Sequence, residues 1–330
     1  MKVGPGDTNQ NNQLVIRATG LASTSHPNQT VYEVACDECG HRYGANGCDL
    51  WLRRCPACGG GEAGEPLESS MAQPRHLAEI RHTDLVFPHQ TNHQGTYFGG
   101  AAMAEMDKLA FLVAARHARR PFVTASCDKL DFVAPALLGD LIELTGQVRM
   151  VGRTSLIVDV ELAAENLITG ARHVCTRGAF TMVAADRKTN PDRLPPSPDA
   201  KPEFAPSPPG YARTLQLVFP GDTNHLGQLF GGNAMSLMGK AAYIAASRHT
   251  RSDVGMAASD KIDFIAPTRE GELLDVIATI ASVGRTSITV AVLAEAEDLM
   301  TGDRRKVGEA DYVMVALDAN GKPTPAKPLS

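Results

Sequence analysis

Residues 91–107 read TNHQGTYFGGAAMAEMD, and residues 223–239 read TNHLGQLFGGNAMSLMG. The two stretches lie 132 positions apart, and from position 85 to 117 the copies are identical at 19 of 33 positions. No gap is needed as far as Gly170 and its counterpart Gly302. Self-similarity of this kind indicates one structural unit that occurs twice.

Each copy has the pattern of a helix followed by several strands. After Gly99 and Gly100, apolar residues recur at helical spacing as far as Arg116, a cation that suits a helix C-terminus. Strand-like runs separated by turn residues follow at 122–132, 141–151, 155–162 and 173–184. The sequence therefore predicts an α+β fold in which an antiparallel sheet wraps one buried helix.

The segments outside the copies differ in composition. The N-terminal segment is rich in Asn, Gln, Thr and Ser, which is typical of a loose tail. The segment between the copies has eight prolines and favours an extended linker. We predict a disordered tail over 1–30, a zinc ribbon over 31–62, a linker over 63–76, repeat domains over 77–186 and 210–320 with a proline-rich linker over 187–209 between them, and a tail over 321–330.

Two CxxC pairs lie in the predicted ribbon, fifteen residues apart. Each pair forms a tight turn that aims two thiolates at one point, and two such turns complete a tetrahedral zinc shell. A segment this short buries little core, so the metal would supply its folding free energy. The predicted zinc ligands are Cys36, Cys39, Cys55 and Cys58, while His41 and Cys48 lie between the pairs as spare residues.

Charge and hydropathy exclude several classes of function. The formal net charge is −5, and the arginines of the ribbon are balanced by acidic neighbours, so we expect no binding to nucleic acid. No apolar run approaches the length of about 18 residues that a transmembrane helix needs, so we expect no membrane partner. The N-terminus continues into polar residues instead of an apolar signal core, which predicts a cytoplasmic protein.

The motifs resemble those of the hotdog-fold acyl-CoA thioesterases with tandem double-hotdog chains. The resemblance rests on TNxxGxxFGG followed by AMxxMD at 91–107, and on the later elements at 131–135, 139–140 and 152–155. It covers about 77–320, including both copies but not the ribbon. It implies hydrolysis of the thioester of acyl-coenzyme A to a fatty acid and free coenzyme A, with no cofactor for catalysis. It also implies two hotdog units that pair edge to edge with two clefts between them, and trimers of such chains.

In tandem members of that family, each cleft takes an Asn from the loop of one copy and an acidic residue from the helix of the other. Carried over to this sequence, one cleft would hold Asn224 and Asp107, and the opposite cleft would hold Asn92 and Gly239. Glycine has no side chain that could accept a proton. The resemblance therefore implies one working site per chain.

The chemistry of thioester hydrolysis fits these residue types. A carboxylate such as Asp107 can activate water as a general base, and an Asn amide can orient the water or hold the carbonyl. Backbone N–H groups at a helix start can stabilise the oxyanion, and glycine there lets substrate approach the backbone. The candidate glycines are Gly99, Gly100, Gly231 and Gly232.

Coenzyme A carries phosphates, which suit arginine side chains and the N–H groups of tight turns. The candidate phosphate-binding turns contain Arg153, Thr154 and Ser155 in the first copy and Arg285, Thr286 and Ser287 in the second.

Simpler interpretations remain open from the sequence alone. Asp107 could pair with Lys108 or Arg116, and Asn92 and Asn224 could be turn residues. A non-catalytic acyl-CoA sensor is the main alternative function, although a binding protein has no need of a buried base. A hotdog dehydratase would need a histidine on the helix, and residues 99–115 contain none.

Overall fold

A computed structural model describes residues 6–23, 29–39, 41–48, 50–61, 64, 79–128, 130–197, 204–260 and 262–327. The chain forms two compact units, Met1–His76 and Leu77–Ser330. Most of the predicted linker at 63–76 lies outside the described residues. None of the helices in the described part of the chain is long and apolar enough to cross a membrane.

The N-terminal unit contains one three-stranded antiparallel sheet. Its strands are β1 (Gln13–Ala22), β2 (Thr30–Cys36) and β3 (Arg42–Asn46), in the order β1-β2-β3. The prediction of a disordered tail over 1–30 is therefore wrong for the strand at 13–22. The prediction relied on the polar composition of the whole segment and overlooked a short apolar run that begins at Leu14. Within this run, Val15 packs in a small core with Val34 and Tyr43.

The polar residues of this segment hold the ribbon loops. The buried Asn9 amide donates to the carbonyl oxygens of Leu50 and Arg53 at 2.8 and 3.0 Å. The buried Gln13 amide donates to the sulfur of Cys36 at 3.5 Å. Asn and Gln therefore replace an apolar core here, because a unit of this size has many loop carbonyls to satisfy and little apolar surface to bury.

The C-terminal unit contains both repeats, and each consists of one helix packed on one antiparallel sheet. The first sheet has the order β4-β6-β7-β8-β5, and the second has the order β9-β12-β13-β14-β10, with β11 paired to β14. The first repeat has β4 (Glu79–Leu85), α1 (Gly99–Ala118), β5 (Phe122–Cys127), β6 (Leu141–Val151), β7 (Ser155–Glu165) and β8 (Arg172–Ala184). The second has β9 (Tyr211–Leu217), α2 (Gly231–Thr250), β10 (Asp253–Ser259), β11 (Asp263–Phe264), β12 (Leu273–Val283), β13 (Ser287–Glu297) and β14 (Arg304–Leu317).

The central helices form where the apolar spacing predicted them. In α1 the buried face includes Met106, Leu109 and Val113. The helix lies so close to β6 that a Cβ at Gly146 would come within 2.8 Å of a Val113 methyl carbon. This burial confirms the predicted arrangement of a sheet wrapped around a helix.

The repeats extend further than we predicted. The Leu194 amide donates to the Arg153 carbonyl at 3.0 Å, and the Ala326 amide, 132 positions on, donates to the Arg285 carbonyl at 2.9 Å. Residues 191–197 and 323–327 thus pack on their own repeats in matching positions, although we assigned them to the linker and the tail. The backbone bonds that hold them depend little on side-chain identity, so the aligned residues could diverge.

The two repeats share their cores. The cluster around α1 includes Leu217, Leu273 and Leu299 of the second repeat. The cluster around α2 includes Leu141 and Leu167 of the first repeat, with Leu85 packed against it. These residues correspond at the offset of 132, so each repeat inserts the same leucines into the other. The repeats therefore form a pseudo-twofold pair in which each core is completed by leucines of the other repeat.

The edge strands β4 and β9 meet through side-chain hydrogen bonds. The Thr214 hydroxyl donates to the Thr83 carbonyl at 3.1 Å, and the Leu215 amide donates to His82 Nδ1 at 3.0 Å. The resemblance implied this edge-to-edge pairing. Side chains satisfy edge groups that a continuous backbone ladder would otherwise pair.

Buried ion pairs clamp the helices to the opposite repeats. Arg116 contacts Glu297 at 2.5 Å, and its counterpart Arg248 contacts Glu165 at 2.6 Å. Each helix ends at an arginine in the left-handed conformation, Arg119 with φ 53° and Arg251 with φ 56°. A non-glycine residue seldom adopts this conformation. Arg119 contacts Glu297 at 2.8 Å, and Arg251 contacts Glu165 at 2.6 Å. The left-handed residue at the end of each helix therefore adds a second ion pair to the same glutamate.

Candidate active site

Asp107 lies on α1, half-buried, where Thr124 of β5 donates a hydrogen bond of 2.6 Å to its Oδ1 atom. A β-bulge follows directly, between Thr124 and Ser126. Bulges re-aim side chains and are common beside active sites. The bulged strand therefore presents a hydroxyl to the carboxylate.

The pairings that would have made Asp107 a structural residue do not occur. Lys108 pairs with Glu105 at 2.6 Å, and Arg116 turns towards Glu297 of the other repeat. The Asp107 carboxylate thus accepts from a neutral donor instead of an adjacent cation. Among the described residues, Thr124 is the hydrogen-bond donor found for this carboxylate.

The second repeat has replaced both partners. Gly239 takes the position of Asp107, and Met256 takes the position of Thr124. A Cβ placed on Gly239 would come within 3.0 Å of the Met256 terminal methyl carbon and 4.0 Å of a Tyr312 ring carbon. The methionine therefore occupies part of the space beside the helix, and the pair has lost both its carboxylate and its hydroxyl.

The loops that contain Asn92 and Asn224 fold alike, but the side-chain amide nitrogens of the two residues differ in their hydrogen bonds. The Asn92 oxygen accepts from the amides of residues 94 and 96 at 2.9 and 3.2 Å, and the Asn224 oxygen accepts from those of 226 and 228 at the same distances. Both residues are thus turn residues, as one interpretation of the sequence expected. The Asn92 amide nitrogen also donates to the Thr96 hydroxyl at 2.8 Å. Among the described residues, the Asn224 amide nitrogen has no such acceptor, since position 228 is Gln.

The helix starts carry free N–H groups. Neither α1 nor α2 has a side-chain cap at its preceding phenylalanine, Phe98 or Phe230. A Cβ at Gly100 would come within 2.5 Å of the Phe98 ring, so a larger residue there would displace this exposed side chain. A Cβ at Gly232 would have no neighbour within 4 Å. The start of α2 is therefore open to an approaching group, and its first N–H groups have no intrahelical acceptor.

The candidate phosphate-binding turns are the hairpins between β6 and β7 and between β12 and β13. Arg153 and Arg285 are exposed at their tips. Gly152 and Gly284 close the turns by donating to the carbonyls of Ser155 and Ser287 at 2.7 and 2.8 Å. The guanidinium groups thus lie exposed on hydrogen-bonded turns, which suits them to bind an anion.

One cavity, of about 310 Å³, opens at the start of α1. Its walls are mostly apolar, and the phenol of Tyr97 lies among them. The lining residues are Thr96, Tyr97, Gly99, Ala102, 132–136, Leu162 and Cys175.

The four cysteines of the ribbon converge as predicted. Their sulfur atoms all lie within 4.8 Å of one another, and the closest pairs, Cys36 with Cys58 and Cys39 with Cys55, are 3.6 Å apart. Sulfur ligands of a tetrahedral zinc ion are about 3.8 Å apart, given Zn–S bonds of about 2.3 Å. A hydrogen bond from the Cys39 backbone lowers the pKa of Cys36 to about 6, which favours the thiolate that binds metal. These four residues could hold a metal ion.

Comparison with known proteins agrees with this architecture. The family model of the thioesterase superfamily matches residues 94–171 and 226–302, one segment in each repeat. An uncharacterized acyl-CoA thioester hydrolase of Bacillus subtilis is 39% identical over 118 residues, which are 36% of this chain and 69% of that protein. The chain belongs to the thioesterase superfamily.

Other members of the superfamily match both repeats. Acyl-coenzyme A thioesterase 11 of mouse is 26% identical over 306 residues, covering 79% of this chain, which spans about half of the mouse protein (51%). The crystal structure of an acyl-CoA hydrolase from Agrobacterium tumefaciens superposes with a TM-score of 0.66 and 39% identity, over 75% of this chain and 97% of that one. The predicted tandem hotdog fold and the thioesterase resemblance are therefore confirmed.

Sequence reasoning missed Thr124, the residue that donates to the candidate base Asp107. A lone threonine on a strand is unremarkable. The signal was present in the internal comparison, since Thr124 changes to Met256 in the same repeat that loses the aspartate.

Proposed function

We propose that this protein is an acyl-CoA thioesterase with one working active site per chain, formed by Asp107 of the first repeat and Asn224 of the second. Family membership supports the reaction class. The hydrogen bond between Thr124 and Asp107 carries the choice of site, because the corresponding positions of the other repeat have neither a base nor a donor.

Asp107 acts as the general base. Its free carboxylate oxygen accepts a proton from a water molecule, and the resulting hydroxide attacks the thioester carbonyl carbon. Thr124 holds the other oxygen and fixes the carboxylate on the cleft side of α1. Thr124 is thus a positioning residue.

Asn224 and the start of α2 stabilise the oxyanion. The attack places a negative charge on the carbonyl oxygen, and the amide nitrogen of Asn224 with the N–H groups of Gly231 and Gly232 can donate to it. The tetrahedral intermediate then collapses, the carbon–sulfur bond breaks, and the proton held by Asp107 passes to the departing coenzyme A thiolate. The products are a fatty acid and free coenzyme A.

The exposed hairpins serve coenzyme A binding. Arg153 with Thr154 and Ser155, and Arg285 with Thr286 and Ser287, offer guanidinium and turn donors to its phosphates. Such exposed contacts depend on ionic strength, so substrate affinity should weaken as salt rises.

The metal of the N-terminal unit is zinc with a structural role. The four ligands Cys36, Cys39, Cys55 and Cys58 form the closed all-thiolate set that structural zinc sites use, which leaves no open position for a substrate. None of the seven cysteines forms a disulfide, which fits the reducing cytoplasm.

Chains assemble through apolar surfaces, and we propose a trimer. Four large apolar residues at matching positions of the repeats are exposed: Phe98 (56%), Phe230 (53%), Val133 (75%) and Ile265 (64%). Exposed apolar surface repeated in this way marks an interaction face. Light scattering should give three times the mass of one chain, and a monomer would contradict the assembly.

The function is tested by release of thiol from acyl-CoAs of two to eighteen carbons. Wild type should turn over, and Asp107→Asn should lose about 10²–10⁴-fold in kcat while still binding coenzyme A. Asp253→Asn changes an exposed carboxylate at the start of β10, so it is the matched control and should keep its rate. Binding of acyl-CoA by wild type without any turnover would replace the enzyme with the sensor alternative.

A further inference from the structure

The cleft that lacks the aspartate has gained two phenols. In the proposed crossed pairing, the Asn92 loop faces Gly239 on α2. Tyr97 follows the Asn92 loop, and Tyr312 lies beside Gly239. The working cleft has Leu229 and Phe180 at the corresponding positions.

Both phenols are buried without a partner. Tyr97 is 8% exposed and Tyr312 is 2% exposed, and neither hydroxyl has a hydrogen-bond partner among the described residues. A buried hydroxyl with no partner costs free energy. Two such groups, at positions that are leucine and phenylalanine in the working cleft, indicate that a ligand supplies the missing partners.

Asp84 connects Tyr97 with the part of α2 that carries Gly239. Lys240, next to Gly239 on α2, contacts Asp84 of β4 at 2.6 Å. Burial is the main cause that raises the pKa of the Tyr97 phenol, and the negative charge of Glu105 adds to it. Asp84 lies close enough to Tyr97 that its negative charge contributes as well. The neutral phenol is thus a hydrogen-bond donor near this side of α2.

We propose that this second cleft binds a further molecule of acyl-CoA and holds it without hydrolysis. The proposal rests on the crossed pairing given under the proposed function. The phenols donate to the thioester carbonyl, and the acyl chain enters the cavity at the start of α1. No carboxylate is present at position 239 to activate water, so the thioester survives.

The cavity is large enough for such a chain. Its volume is about 310 Å³. A cavity of roughly 150 Å³ is known to bind benzene, so this one can take roughly a dozen carbon atoms. Its mostly apolar lining, with Ala102, Leu162 and Phe132, suits hydrocarbon, and Thr96 and Tyr97 are the polar residues among the lining.

The test is calorimetric titration of the full chain with S-(2-oxodecyl)-coenzyme A. This ketone keeps the carbonyl but has a methylene group between it and the sulfur, so it resists hydrolysis. Wild type should bind two molecules per chain. Tyr97→Phe and Tyr312→Phe each remove only a hydroxyl, so they should fold normally and weaken one of the two sites by about three- to tenfold. Asn224→Ala should weaken the other site.

Three outcomes would overturn the inference. These are one molecule per chain in wild type, two molecules with neither site altered by the tyrosine variants, or free coenzyme A binding the second site as tightly as the ketone. Thiol release measured on the same preparation separates the two claims. Turnover with a single binding site would refute the second cleft alone, whereas absence of turnover would refute the proposed function.

Discussion

Thr124 donates a hydrogen bond of 2.6 Å to Asp107, and the second repeat has lost both residues together. Many other positions differ between the repeats, but these two are in direct contact. The simultaneous loss of a carboxylate and of its donor indicates that the pair served a purpose in one cleft only. The fold of the helix and strand did not require it, because α2 keeps the same bounds and β10 keeps the same bulge without it, beginning one residue earlier than β5.

We expect Thr124→Val to lower kcat by about 10- to 100-fold, because a hydrogen bond to a charged group is worth roughly 1.5–3 kcal/mol. Substrate binding should change little, since Thr124 contacts the carboxylate instead of the substrate. Steady-state kinetics should therefore show a fall in kcat at nearly constant KM. Thr124→Ser keeps the hydroxyl and should retain most of the rate. Equal loss in both variants would show that shape, not the hydrogen bond, matters.

Replacement of the two asparagines should have different effects on kcat. Asn224→Ala removes a donor from the proposed oxyanion site, and loss of one such donor typically costs about 10²–10³-fold in kcat. Asn92→Ala should keep kcat within about threefold, because its loop lies in the cleft without a base. Thiol release from one acyl-CoA under identical conditions measures both. Since both side chains hold the same kind of turn, each variant should lose similar stability, and thermal unfolding checks this. A larger loss of kcat in Asn92→Ala would reverse the assignment of the clefts.

The repeat and its central helix could be predicted because they leave a signal at many positions. The 132-residue offset and the helical spacing after Gly99 each involve a dozen or more residues. The strand Gln13–Ala22 could not be predicted from composition, because the polar residues Asn9 and Gln13 act through hydrogen bonds to atoms that are distant in sequence, the carbonyls of Leu50 and Arg53 and the sulfur of Cys36. Composition gives only the residue types, whereas these roles depend on which distant residues the fold brings next to Asn9 and Gln13.

His82 should make the repeat interface sensitive to acid. Burial lowers the pKa of this histidine to about 4 from 6.5, and its neutral Nδ1 accepts from the Leu215 amide. Between pH 4 and pH 6.5, His82 binds a proton more readily in the unfolded chain than in the folded one. The contribution of neutral His82 to the free energy of unfolding is therefore fully present above pH 6.5 and is lost as the pH falls towards 4. The loss should reach about 2 kcal/mol by pH 5. Denaturant unfolding between pH 7 and pH 5 measures it.

His82→Asn provides the control for this pH dependence. The Asn oxygen can accept from the same amide but does not titrate. The variant should therefore lose about 2 kcal/mol less than wild type between pH 7 and pH 5. An identical slope in both proteins would assign the acid sensitivity to other groups.

Removal of zinc should affect the N-terminal unit and leave hydrolysis intact. The chain is expected to hold one zinc ion, since four sulfur atoms lie within 4.8 Å of one another in a unit with a core of only a few residues. Cys39→Ser should lose that ion, whereas Cys48→Ser, which changes an exposed cysteine outside the cluster, should keep it. Metal analysis and thiol release on both variants test the two statements. Both should hydrolyse acyl-CoA at the wild-type rate, because the residues proposed for catalysis all lie in the unit Leu77–Ser330. Loss of turnover in Cys39→Ser alone would mean that the ribbon takes part in the working site.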